Sequence, residues 1–234
     1  MKHNGIFVTG TGTDVGKTVV TRALTRILFH RGIDVVAIKP VESGVEELTS
    51  SDTAHLVAAA GGRYSEQSVN AYRFKKPVSP HLASALENTT IDGDRVSSFL
   101  ENWLEKADVV LAEGAGGLLV PINNELTYAD VVARTRYRLL IVAPDILGTI
   151  NHTLLTIEAA RARNIEICGV VLNRVQDPSL GNEKAIAHYG NVPIIGRLPC
   201  LQNTSNALDD DHLATQLAES LHIDALVQSR NVPH

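Results

Sequence analysis

Nine residues constrain this chain most: GTGTDVGKT, Gly10 to Thr18, directly behind the short apolar run Ile6-Phe7-Val8. That order reads as a strand, a glycine-rich loop and the first turn of a helix, which is the context a phosphate-binding P-loop requires. Glycines at 10, 12 and 16 let the backbone wrap so that its N–H groups face phosphate oxygens. The helix behind them adds the positive end of its dipole. Lys17 can reach the β- and γ-phosphates, and the Thr18 hydroxyl can join a Mg²⁺ shell. The spacing departs from the usual one: Thr11 stands where the first glycine of a four-residue spacer would fall, so the loop runs Gly10, five residues, then Gly16-Lys17-Thr18. The bland alternative is a chance glycine loop before a helix.

The rest of the chain alternates apolar runs with helical periodicity. Val20, Ala23, Leu24, Ile27 and Leu28 recur at helical spacing, and Gly32 closes that helix. Asp34–Lys39 (DVVAIK) is expected to be a buried parallel strand completing a first βαβ unit, stopped by Pro40. SSDTAHLVAAAGG reads as a capped helix, Ser79-Pro80-His81 as another helix start, and 91–106 as a helix with Val96, Phe99, Leu100, Trp103 and Leu104 on one face. Strands are expected at 108–111, 138–143, 165–173 and 192–198. Helices are expected at 127–134, from Thr149 onward, and in the tail after Asp209, followed by a frayed end. The expected fold class is α/β: a single P-loop NTPase-like domain over 1–234, with a mostly parallel sheet covered by helices on both faces.

Composition narrows the class. A net charge of −5 and no basic run of five or more argue against a nucleic-acid partner. Cys168 and Cys200 form no C-x-x-C pair and are expected to be reduced, buried thiols of a cytoplasmic protein. No signal peptide and no membrane span are expected, because the first apolar run is short and none reaches about 18 residues.

In an open parallel sheet the carboxyl ends of the strands line one crevice, so Lys17-Thr18, Lys39, Asp52 and Glu113 are expected to converge. Glu113 ends an apolar strand, where Mg²⁺-nucleotide enzymes place a metal ligand, and Gly114-Ala115-Gly116-Gly117 behind it suits close approach by a ligand. The alternative for Glu113 is a solvated strand-end carboxylate. Asp52 alone needs no role beyond that of an N-cap or first-turn residue of a helix. Lys39 suits a phosphate or a developing anion, or else snorkels to solvent. His81 reads as part of a helix start, His152 as structural, and Asp209-Asp210-Asp211 as a solvated helix start.

The ordered set GTGTDVGKT, KPVESG, SSD, SPH, EGAGGLLVPI, ADVV, LGTINH and VLNRV resembles the dethiobiotin synthetase family, from Ile6 to about Leu201. The lengthened P-loop is part of that resemblance. It implies an ATP- and Mg²⁺-dependent ligase that converts 7,8-diaminononanoate and CO₂ to dethiobiotin through a carbamate and a carbamic–phosphoric anhydride. It also implies roles for residues. Asp14, Val15, Gly16, Lys17, Thr18 and Val19 would hold the ATP phosphates, and Lys39 with Lys17 would be catalytic. Thr18, Asp52 and Glu113 would surround Mg²⁺. Thr13 and Ser43 would contact diamine or carbamate, and Gly114, Ala115 and Gly116 would lie near phosphates or substrate. Asn173 with Arg174 would read the adenine, beside Pro199, Cys200 and Leu201. The amides at Thr149, Ile150 and Asn151 would hold the substrate carboxylate from the other subunit of a homodimer.

Three rivals share some of these features. Switch ATPases of the chromosome-partition kind carry an extra lysine early in the loop, and the residues between Gly10 and Gly16 include none. An amidotransferase-type cobyrinate synthase needs a glutaminase domain with a nucleophilic cysteine, for which 234 residues leave no room. A nucleotide-binding regulatory module would not depend on Lys39.

Overall fold

The computed structural model describes residues 4–45, 51–177, 179, 181–200 and 210–227, apart from the side chain at 225. Six parallel strands form the main sheet in the order β2-β5-β1-β6-β7-β8. They are β1 (Asn4–Gly10), β2 (Val35–Ile38), β5 (Val109–Gly117), β6 (Arg138–Pro144), β7 (Ile167–Val175) and β8 (Ile194–Pro199). A second, two-stranded parallel sheet joins β3 (Val41–Glu42) to β4 (Tyr72–Arg73). The helices are α1 (Lys17–His30), α2 (Asp52–Ala59), α3 (Pro80–Leu86), α4 (Gly93–Leu104), α5 (Tyr128–Val132), α6 (Thr149–Arg161), α7 (Asn182–Gly190), α8 (Asp210–Leu217) and α9 (Ile223–Val227). Among the described residues no helix is long and apolar enough to cross a membrane.

Alternation along the strands builds the two cores. Ile6 and Val8 of β1, Val109 and Leu111 of β5, and Leu140 and Val142 of β6 pack beneath α1 and the C-terminal helices. Phe7, Val110, Ala112, Leu139 and Ile141 face the other way, against α4, α5, α6 and α7. Every strand of the main sheet runs the same way, so the segments after β1, β2, β5, β6, β7 and β8 emerge along one edge.

Four expectations need correction. β2 does not pair with β1: β5 lies between them, with Ile6 opposite Leu111 and Ala37 opposite Leu111 from the other side. The four-residue β2 takes the edge, where a short strand exposes little unpaired backbone, and the longer β1 and β5 take the centre. The tail does not simply fray, because α9 follows α8 and buries Ile223 and Leu226. Asp210 and Asp211 are not merely solvated. Asp210 pairs with Arg22 at 2.8 Å, and Asp211 pairs with Arg26 at 2.5 Å and His30 at 2.9 Å, tying α8 to α1. Asp209 lies outside the described residues. Finally, only Cys168 is buried, which pushes its thiol up to about 12. Cys200 is exposed, one residue past β8, where the sheet no longer covers it.

Candidate active site

The glycine loop leaves β1 at Gly10 and enters α1 at Lys17. Gly16 sits at φ 94°, in the left-handed region, and a Cβ there would stand 2.0 Å from Asn173 Nδ2. Only glycine fits. No side chain caps α1, so its first-turn N–H groups are left to face a ligand. The Asn173 amide donates to Val15 O at 3.0 Å and fixes the far wall of the loop from the end of β7.

A cavity of about 380 Å³ opens beside this loop. Lys17, Thr18, Lys39, Asp52 and Glu113, expected to converge from distant positions, all line it. Glu113 is fully buried, so it is not a solvated strand end. Its Oε1 accepts from Thr18 Oγ1 at 2.8 Å and from Lys39 Nζ at 2.8 Å. Lys39 also donates to Asp52 Oδ2, on the first turn of α2. Burial pulls the Lys39 ammonium down, but the charges and hydrogen bonds of Glu113 and Asp52 outweigh it and raise its pKa above the ordinary lysine value. Burial lowers the pKa of Lys17, helped by the nearby Lys39 charge. Lys17 Nζ reaches Gly12 O only at 3.4 Å. Burial would raise Asp52, yet Lys39 holds it below the usual carboxylate range.

Mg²⁺ is a hard cation that takes few protein oxygens and completes its octahedron with phosphate and water. The oxygens present fit it. Glu113 Oε2 is buried without a hydrogen-bond partner, and the Thr18 hydroxyl and Asp52 carboxylate line the same cavity. Among the described residues no cluster of three His, Cys, Asp or Glu offers a metal site built from those side chains alone.

Thr13, Asp14, Gly16, Val19, Ser43, Ala115, Gly116 and Arg174 also line this cavity. The Ser43 hydroxyl donates to Val78 O at 2.7 Å. Val15 and Gly114 do not line it. Val15 packs into the core, and a Cβ on Gly114 would meet the Phe7 ring at 2.9 Å. Pro199, the last residue of β8, and Cys200 after it are exposed and outside the lining, and Leu201 lies outside the described residues.

Thr149, Ile150 and Asn151 are not brought to this cavity. They line a second one of about 810 Å³, at the start of α6, which shares no lining residue with the first. Gly148, at φ 93°, turns the chain into α6. A third hollow of about 450 Å³ lies between the glycine loop, Leu118–Pro121 and one face of α6. His152, expected to be structural, is exposed there. His81 stands at the start of α3 as expected, its Nδ1 3.1 Å from Ser79 Oγ.

Sequence reasoning missed Glu42, Thr53, Asn70 and Arg73, which form a network behind Lys39 and Asp52, buried at Glu42 and Thr53 and half-buried at Asn70 and Arg73. The one available signal was the acid within KPVESG, Glu42, which follows a further apolar residue, Val41, shortly after the run that ends at Lys39. Tyr128 was missed too. Its ring packs 5.8 Å from Phe7, and burial raises its pKa.

A family model described as an AAA domain matches residues 4–208. The ATP-dependent dethiobiotin synthetase BioD of Halalkalibacterium halodurans is 38% identical over 220 residues, covering 90% of each chain. This chain belongs to the ATP-dependent dethiobiotin synthetases. The BioD of Rhodopseudomonas palustris is 41% identical, over 87% of this chain and 89% of its own. As a member of the synthetase family the chain is an ATP-dependent enzyme of the ligase type. Its fold is that of P-loop ATPases more widely. A ParA family ATPase from Chlorobium tepidum superposes with TM-score 0.53 at 16% identity, covering 96% of this chain and 95% of its own. The MinC:MinD cell division protein complex of Aquifex aeolicus gives 0.56 at 16% identity, covering 99% and 98%. At that identity the likeness concerns the fold.

Proposed function

We propose that this chain, as one P-loop domain over 1–234, closes the ureido ring of dethiobiotin in the cytoplasm, as a step of biotin biosynthesis. The substrates are 7,8-diaminononanoate (7,8-diaminopelargonate), CO₂ and ATP, and the products are dethiobiotin, ADP and phosphate. The convergence of Lys17, Lys39 and Glu113 on one cavity beside the glycine loop, in a chain of this family, carries the reading.

One amine of the diamine loses a proton and captures CO₂ as a carbamate. A carbamate oxygen attacks the γ-phosphorus of ATP, ADP leaves, and a carbamic–phosphoric anhydride remains. The second amine attacks its carbonyl carbon and expels phosphate. The first difficulty is electrostatic: two anions must meet. Lys39, kept protonated by its carboxylate neighbours, is a cation rather than a base and stabilises the charge that gathers between carbamate and phosphate. Lys17 and the amides of the loop and α1 take the phosphate oxygens. Thr18, Asp52 and Glu113 would hold Mg²⁺, which when bound neutralises phosphate charge. No enzyme nucleophile is needed.

The α6 cavity suits the substrate's carboxylate end, received by the amides at Thr149–Asn151. Since that cavity shares nothing with the first, we assign it to the neighbouring subunit's site, in a homodimer with two shared active sites. Ile146, Leu147, Leu155 and Leu119 are exposed apolar side chains around α6 and the third hollow, and they support a covered face there. Neither nucleic acid nor membrane enters the scheme. The test is incubation with Mg-ATP, ¹³C-bicarbonate and the diamine: a product with the mass of singly labelled dethiobiotin is expected, and its absence with active, ATP-binding protein would overturn the reading.

A further inference from the structure

Asp52 and Lys39 meet in one ion pair at the cavity wall, but they belong to different elements, the first turn of α2 and the residue that follows β2. Something must fix their spacing. Glu42, buried on β3, accepts from both Thr53 N at 3.2 Å and Thr53 Oγ1 at 2.6 Å. It therefore grips α2 one residue past Asp52, where the helix leaves orphan N–H groups and favours an anion. Asn70 bridges the other side, donating to Lys39 O at 2.5 Å and to Thr53 Oγ1 at 3.0 Å. Arg73 donates to Asn70 Oδ1 at 2.5 Å and offsets Glu42 at 3.7 Å and Glu66 at 3.5 Å. The β3–β4 pairing sets Glu42 opposite Arg73, so the small sheet exists in register with this network.

The Thr53 hydroxyl both donates, to Glu42, and accepts, from Asn70. None of Glu42, Thr53, Asn70 and Arg73 is among the residues that line the cavity. Burying a carboxylate here is expensive, and an apolar pair would pack the same space at lower cost. The network is better explained by what it holds. We infer that Glu42, Thr53, Asn70 and Arg73 are positioning residues that lock the Asp52 carboxylate at a fixed distance from the Lys39 backbone, and thereby set the affinity of the Mg²⁺–nucleotide complex. The inference rests on the proposed reading of Thr18, Asp52 and Glu113 as oxygen ligands of that ion.

The test is calorimetric titration of ATP at stepped Mg²⁺ concentrations, which needs no turnover. Thr53→Val, which removes the shared hydroxyl, is expected to raise the Mg²⁺ concentration for half-maximal ATP binding about tenfold, the usual scale for groups that orient a metal ligand. Thr53→Ser should restore it. Should Thr53→Val fold poorly, Asn70→Ala breaks the bridge to Lys39 without an apolar group beside Glu42, and the same direction is expected. Asp52→Asn runs alongside. If Asp52→Asn shifts the Mg²⁺ midpoint and the network variants do not, the positioning role is wrong. If Asp52→Asn shifts nothing, the metal reading falls and takes this inference with it.

Discussion

The cavity beside the glycine loop and the cavity at the start of α6 are built in opposite ways. In the first, the central charges are paired within the chain: Lys39 lies between Glu113 and Asp52, and Thr18 donates to Glu113, whose Oε2 is left without a hydrogen-bond partner. In the second, the Thr149 hydroxyl is buried without a hydrogen-bond partner, and the rim carries Ile146 and a fully exposed Leu147. Preorganised charge belongs where a transition state must be stabilised without reorganisation. Exposed apolar side chains beside helix amides belong where another surface closes over a ligand. On the proposed reading, the first region is assembled within one chain, and the second is completed by a second copy and the diamine.

The comparison breaks most visibly at Lys39. Lys39→Gln is expected to lower kcat by about 10²–10³, the scale for losing one preorganised charge, with ATP affinity nearly unchanged. Turnover close to that of the unaltered enzyme would remove Lys39 from the chemistry. Glu113→Ala should raise the Mg²⁺ requirement of turnover by about 10-fold or more, and an unmoved Mg²⁺ titration would exclude it from the metal site. Leu147→Asp probes the other region: a buried anchor lost from an interface raises the dimer dissociation constant by about 30-fold, read by sedimentation, whereas unchanged assembly would mean that the α6 rim is not covered by a second copy.

The smallest effect concerns acid. Asp52 has a folded pKa below its unfolded value near 3.9, so its stabilising share is present above that pH and lost as pH falls through the folded pKa. Asp52→Asn should therefore flatten the fall of the urea midpoint below about pH 4. Parallel curves for the two proteins would contradict the Lys39–Asp52 pairing.

Much of the first region was legible because it is written locally. GTGTDVGKT, Lys39 and Glu113 behind their apolar runs, and the Ser51-Asp52 helix start each carry their own signal, although β5 runs on past Glu113 to Gly117, and a parallel sheet gathers such positions toward one edge. The cap of α2 is Ser51, which accepts from Ala54 N at 3.0 Å, and Asp52 takes the first-turn role of the two expected for it. What escaped was non-local. The place of β5 between β1 and β2 depends on pairing across about a hundred residues of chain. Asp210 and Asp211 looked solvated because Arg22 and Arg26 lie nearly the whole chain away. β3 and β4, two residues each, are too short to show a period, so Glu42 and Arg73 had no visible frame. Helix α7 begins at a left-handed Gly181 instead of a side-chain cap, which left it without a start signal.

The most direct measurement is ADP release from Mg-ATP and bicarbonate, with and without 7,8-diaminononanoate. If the two regions serve one reaction, the lysine-lined cavity has no carbamate to phosphorylate until the diamine is bound. ADP should then form only with the diamine, in step with dethiobiotin. Equal ADP without the diamine would contradict the account and align the chain with the switch ATPases whose fold it shares.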